Sequence, residues 1–260
     1  MNIIVCIKQV PDTNEVRLDP KTGTLIREGV PSIINPDDKS GLEAALVLKD
    51  KIGAKVTVLT MGPPQADLAL REALAMGADR AILLTDRAFA GSDTLATSSV
   101  LASAIREMDY DLIIAGRQAI DGDTAQVGPQ IAEHLDIAQI SYVEELELVD
   151  KALVIKRAFE GGYFKIKAQM PCLITTLTEM NTPRYMSVSG IFDAYREKEV
   201  EKWTSENITI NKETIGLNGS PTKVKKSFTK GVKAAGKKYE VDHKEAAKII
   251  IENLKEKYII

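Results

Sequence analysis

Gly116, Gly122 and Gly128 punctuate the segment AGRQAIDGDTAQVG, which leads from an apolar run into a helical pattern. Glycines at such a turn let backbone approach a ligand, Arg117 can pair with a phosphate, and the amides of a helix start favour negative charge. A pyrophosphate is a group that such a turn suits. Asp121 and Asp123 would repel that phosphate if they faced it, so ribose or adenine contacts, loop hydrogen bonds or helix capping are their expected roles. The glycine spacing taken alone is explained equally well by a tight structural loop. Ligands of open parallel sheets bind outside the carboxyl ends of the strands, where connections diverge. Three other segments are expected at that edge: Cys6 and the turn after the first strand, Asn35-Pro36-Asp37-Asp38 before the first helix, and Met61-Gly62-Pro63 after the second strand. Lys8 and Arg117 are the cations assigned to a nucleotide.

The elements that must position these residues follow from periodicity. Short apolar runs rich in β-branched residues alternate with amphipathic segments, the pattern of parallel strands joined by crossover helices, and this indicates an α/β fold. The sequence predicts strands over residues 3–10, 55–61, 80–85 and 111–115, with helices over 38–52, 64–76 and 93–107. Gly53 and Gly77 fall where helices should stop. Between the first strand and the first helix lies a turn-rich insertion, about residues 17–34, with residues 20–23 fitting a hairpin tip. A further helix is expected in TAQVGPQIAEHL, capped by Thr124 or Asp123. Alternating runs at 140–148, 152–159 and 163–168 predict an antiparallel extension of one sheet edge, with Gly161-Gly162 as a hairpin turn.

Composition narrows the class. With 260 residues, 44% of them apolar, 27% charged, and a net charge of -3, the chain reads as an ordinary soluble globular protein able to bury a substantial core. Nucleic acid is a poor partner for the whole molecule. Only Cys6 and Cys172 are present, which leaves no disulfide framework, and neither has the neighbours of a metal site. The first residues read as a strand rather than a signal peptide, no run is long enough for membrane insertion, and a cytoplasmic setting is the default. Residues 223–238 hold seven lysines and no acidic residue. A helical pattern through Ala247, Ile250, Ile251 and Leu254 follows, so the chain divides into an α/β domain over residues 1–222 and a basic linker with a helical arm over 223–260. The arm either folds back on its own domain or docks on another subunit. His134, His243, Ser98 and Ser99 lack the partners needed for nucleophilic or metal chemistry.

The runs IKQVPDT, NPDD before LEAALVLKD, MGPPQADLALREALAMGADRAILL, AGRQAIDGDTAQVG and MPCLITTLTEMNTPRY resemble, in one continuous order, the beta subunit of electron-transfer flavoproteins. The resemblance implies a Rossmann-like (adenine nucleotide alpha hydrolase-like) domain holding an adenine nucleotide at the carboxyl edge of a mostly parallel sheet, with a C-terminal arm. By position it implies nucleotide contacts from Cys6, Asn35, Pro36, Asp37, Asp38, Met61, Gly116, Arg117, Gln118, Ala119, Ile120, Asp121, Gly122, Asp123, Thr124, Ala125, Gln126 and Val127. The partner is then an alpha subunit carrying its own flavin. Simpler members of that family hold AMP in this crevice, and bifurcating members hold FAD. Val10-Pro11-Asp12-Thr13 with Glu15-Val16 resembles the bifurcating type, in which NADH gives a hydride to that FAD. One electron then passes to the alpha-subunit flavin and a dehydrogenase, and the other to ferredoxin or flavodoxin. The loop 178–185 is implied to dock an acyl-CoA dehydrogenase or similar flavoenzyme through Met180, where leucine is usual, with Asn181, Pro183 and Arg184 shaping the loop.

Two rivals share the broad architecture. A universal-stress-type nucleotide-binding protein expects a Gly-x-x-Gly loop followed nine residues later by Gly and Ser or Thr, which Gly116, Gly122 and Gly128 do not match. An adenylating enzyme expects a Ser-Gly-Gly-x-Asp-Ser loop after the first strand, where this chain has Lys8-Gln9-Val10-Pro11.

Overall fold

The apolar run that opens the chain alternates its side chains between two cores: Ile3 and Val5 pack on one face of a sheet, Ile4 and Cys6 on the other. The computed structural model describes residues 1–12, 31–223 and 236–260. It forms two compact units, Met1–Ser227 and Phe228–Ile260. The expected insertion at about 17–34 lies mostly outside the described residues, as do its hairpin tip at 20–23, Thr13, Glu15 and Val16, and most of the lysine-rich segment.

In chain order the first unit contains β1 (Asn2–Cys6), β2 (Gln9–Pro11), β3 (Ser32–Ile34), α1 (Pro36–Ile52), β4 (Lys55–Met61), α2 (Asp67–Met76), β5 (Arg80–Leu84), α3 (Thr94–Arg106), β6 (Leu112–Gly116), α4 (Val127–Leu135), β7 (Ala138–Val149), β8 (Ala152–Phe159), β9 (Gly162–Gln169), β10 (Cys172–Thr176), α5 (Val188–Arg196) and β11 (Val200–Trp203). A nine-stranded sheet runs in the order β11-β5-β4-β1-β6-β10-β7-β8-β9. Its first seven strands are mutually parallel, and β8 and β9 complete it antiparallel. Helices α1, α2 and α5 cover one face, and α3 and α4 the other. The chain builds outward from β1 through β4 and β5, then returns through α3 to place β6 on the opposite side of β1. That reversal opens a crevice at the carboxyl ends of β1 and β6.

Four differences from the sequence reading have local causes. The run expected as one strand over 3–10 divides after Cys6: the Asn35 amide donates to the Lys8 carbonyl, and β2 leaves to pair antiparallel with β3. Helix α1 starts two residues early because Pro36 occupies a first-turn position where its missing N–H costs nothing. Neither Thr124 nor Asp123 caps α4. Asp123 and Ala125 both take left-handed φ angles, 49° and 53°, which carry the turn onward to Gln126 before the helix begins. Strand β10 was not expected; it lies between β6 and β7 and pairs parallel with both, so β7 joins the main sheet in parallel and only β8 and β9 are antiparallel additions.

The second unit contains α6 (His243–Glu256), whose first turn is capped by the Asp242 carboxylate accepting from the Lys244 and Glu245 amides. None of its side chains is buried, and Ile250 and Ile251 face solvent. Among the described residues, no helix is long and apolar enough to cross a membrane.

Candidate functional site

The crevice is assembled by one short segment, the start of α1. Asn35 clamps the turn after β6 from both sides: its side-chain amide donates to the Gln118 carbonyl at 2.9 Å, and its Oδ1 accepts from the Ile120 amide at 3.0 Å. Asp38 bridges the two strand ends, accepting from the Lys8 amide at 2.8 Å and from the Gly116 amide at 2.9 Å. These bonds replace the ladder partners that backbone amides lose where neighbouring strands diverge. Gly116 has no room for a side chain, since a Cβ there would lie 2.1 Å from Asp38 Oδ1.

Burial pushes the Asp38 carboxyl up to about 7, and the nearby Asp37 charge adds to the rise, while hydrogen bonds from Asn35 and the Lys8 and Gly116 amides pull it down. A folded value above the unfolded one means that the folded chain keeps a proton that the unfolded chain loses between about pH 4 and pH 7. The stability contribution is therefore full below pH 4 and disappears as the pH rises through 7, with a slope on the order of 1 kcal/mol per pH unit. Asp38→Asn should flatten that slope. It should also cost about 1–3 kcal/mol, because its NH2 faces an amide that needs an acceptor. Urea unfolding at pH 5, 6 and 7 measures both effects, and an unchanged slope would show that Asp38 is ionised throughout. The Cys6 thiol, pushed up to about 12 by burial and by Asp38, is held as an unreactive neutral group.

The expected site residues fall as follows. Cys6, Lys8, Asn35, Pro36, Asp37, Asp38 and Gly116 meet at the ends of β1 and β6, with Met61 at the end of the adjacent β4. Arg117, Gln118, Ala119, Ile120, Asp121, Gly122, Asp123, Thr124, Ala125 and Gln126 form the turn that leads to Val127 at the start of α4. The charges pair within this turn. Lys8 Nζ meets Asp121 at 2.7 Å, and the Gln118 side chain donates to Asp123 at 2.9 Å, so both aspartates serve as loop partners. Arg117 Nε lies 3.4 Å from Asp37 Oδ2 yet is buried without a hydrogen-bond partner among the described residues. The start of α4 likewise has no side-chain cap. An unsatisfied guanidinium donor and uncapped helix amides beside a glycine turn suit a phosphate group chemically.

The second expected group, Met180, Asn181, Pro183 and Arg184, lies on the loop between β10 and α5. Met180 is half-buried against the core, whereas Tyr185 is 97% exposed. Sequence reasoning missed Thr178, Ser40 and Glu43, which tie this loop to α1, and Thr94, which donates to Gln126 at 2.7 Å. The signal for the α1 pair was present in the three-residue spacing of Asp37, Ser40 and Glu43.

These features define a doubly wound α/β protein with a phosphate-suited turn at its switch point. Residues 22–207 match the electron transfer flavoprotein domain. The chain is 61% identical to the electron transfer flavoprotein subunit beta of Clostridium acetobutylicum, with all of both chains covered. It is 56% identical to the subunit beta of Thermoanaerobacterium thermosaccharolyticum and to the caffeyl-CoA reductase-Etf complex subunit CarD of Acetobacterium woodii, again with full coverage of both chains. The chain belongs to the electron transfer flavoprotein beta-subunit family.

Proposed function

We propose that this chain binds FAD in the crevice between β1 and β6 and works as one half of a heterodimer with a flavin-carrying alpha subunit. Arg117, whose Nε lies near Asp37 but makes no hydrogen bond among the described residues, beside a glycine turn and an uncapped helix, is the observation that carries this reading. Arg117 and the first amides of α4 hold the phosphates; Asn35 and Asp38 fix the turn that presents them. Lys8 and Asp121 close one side of the crevice.

Bound there, FAD would supply hydride acceptance from NADH and one-electron delivery, for which the alpha-subunit flavin and ferredoxin or flavodoxin would be the acceptors. The segment Val10-Pro11-Asp12, at the end of β2, favours FAD over AMP through its likeness to bifurcating members. Relatives named for caffeyl-CoA reductase and acryloyl-CoA reductase support a flavoenzyme of the acyl-CoA dehydrogenase type as the docking partner, met by Met180, Asn181, Pro183 and Arg184. The exposed apolar side chains of α6 fit an arm that docks on the alpha subunit.

Co-expression with the alpha subunit followed by cofactor counting tests the proposal. Two FAD per heterodimer is the expected result, and one FAD with one AMP would assign the simpler role. Arg117→Ala should weaken retention of this subunit's nucleotide on the order of tenfold, the loss of one charge-assisted bond; unchanged occupancy after dialysis would remove the guanidinium from the phosphate site.

A further inference from the structure

Asp37, Ser40 and Glu43 stand one turn apart on a single face of α1, and each is bonded to the loop after β10 in matching register. Thr178 Oγ1 donates to Asp37 Oδ1 at 2.5 Å. The Asn181 amide donates to Ser40 Oγ, and its side chain to the Ser40 carbonyl, both at 3.1 Å. The Arg184 amide donates to Glu43 Oε2 at 2.9 Å, while its guanidinium grips the same carboxylate at 2.9 to 3.1 Å. The partners advance by three residues on both sides, making a three-rung polar ladder between helix and loop.

The first rung is shared with the crevice. The second oxygen of the Asp37 carboxylate, Oδ2, accepts from the Gln118 amide at 3.4 Å and faces Arg117 Nε at the same distance. That side chain is only 9% exposed, so water competes little for either oxygen. The helix can lie this close because residue 41 is glycine: a Cβ there would meet Thr176 Oγ1 at 2.7 Å. Thr176 in turn donates to the Asp37 carbonyl at 2.9 Å.

We infer that Asp37 is a positioning residue that couples nucleotide occupancy of the crevice to the order of the 178–184 loop. The inference rests on the crevice reading given above. A phosphate that draws the Arg117 guanidinium to itself relieves Asp37 Oδ2 of its cation, leaving the carboxylate's charge to the Thr178 hydroxyl and tightening the ladder. By linkage, whatever docks on the tightened loop raises nucleotide affinity by the same factor.

The Asn181 and Arg184 amides are themselves rungs, so their hydrogen exchange reads the ladder directly. The full-length chain, co-purified with its alpha subunit and dialysed free of this subunit's nucleotide, is compared with and without saturating FAD or AMP. Exchange over 178–184 should slow on the order of fivefold with nucleotide. The effect should vanish in Thr178→Val and in Asp37→Asn, and return in Thr178→Ser, which restores the hydroxyl. Nucleotide binding without slower exchange, or equal protection in Thr178→Val, overturns the coupling and leaves the crevice reading intact. Absence of FAD and AMP binding in the wild-type heterodimer overturns both.

Discussion

Gly116→Ala should destabilise the chain by about 3 kcal/mol or more and abolish nucleotide binding. The added methyl would lie 2.1 Å from Asp38 Oδ1, 2.7 Å from the Asp38 backbone nitrogen and 2.9 Å from Asp37 Cβ. Asp38 cannot swing away without releasing the Lys8 and Gly116 amides. Backbone shift is the remaining escape, and it would draw the start of α1 from the β6 end and open the Asn35 clamp on the turn. Chemical denaturation and equilibrium titration with FAD or AMP measure the two losses. Wild-type values for both would show that the crevice tolerates a side chain, contrary to the close approach seen here.

The second large effect is expected from Arg184→Ala. Glu43 is buried and receives three of its hydrogen bonds from the Arg184 guanidinium, which also reaches Asp50 at 2.8 Å. These partners hold the guanidinium pKa well above its usual value, with the Glu43 bond the largest cause. Removing the arginine strands a carboxylate in a poorly hydrated place. Loss of one partner of a buried pair costs about 3–5 kcal/mol, and partial exposure of Arg184 brings the expectation to about 2–3 kcal/mol. Arg184→Lys should recover only part of this, because an ammonium cannot reproduce the fork. Thermal melts of the three proteins decide it: equal midpoints for wild type and Arg184→Ala would mean that the pair is only a surface decoration.

Strands β1, β4, β5 and β6 were legible because each is a short apolar run bounded by glycine or charged residues. Strand β10 escaped because three apolar residues and two threonines after Pro171 are too short a run to be told by periodicity from a buried loop. Strand β11 has four residues and no apolar period. Helix α5 was hidden for a different reason. Its first turn contains Gly190, a poor helix former, but a Cβ there would lie 2.3 Å from the Ala75 carbonyl, so close packing on α2 selects the glycine and the helix together.

Much the same holds for the site. Glycines, Arg117 and the Asn35-Pro36-Asp37-Asp38 run could be picked out as chemistry from residue type alone. Which acid meets which donor could not, since Asp37 and Thr178 are 141 residues apart in sequence. An acidic residue in the first helical turn also has a sufficient local explanation in the helix dipole, which concealed the tertiary role of Asp37.

Photolabelling of the full-length chain with 8-azido-AMP, followed by peptide mapping, tests most directly whether this subunit seats an adenine nucleotide at the ends of β1 and β6. Label should enter the peptides containing Asn35 to Asp38 or Gly116 to Val127 and should be competed away by FAD or AMP. Label confined to other peptides, or insensitive to both competitors, would contradict it.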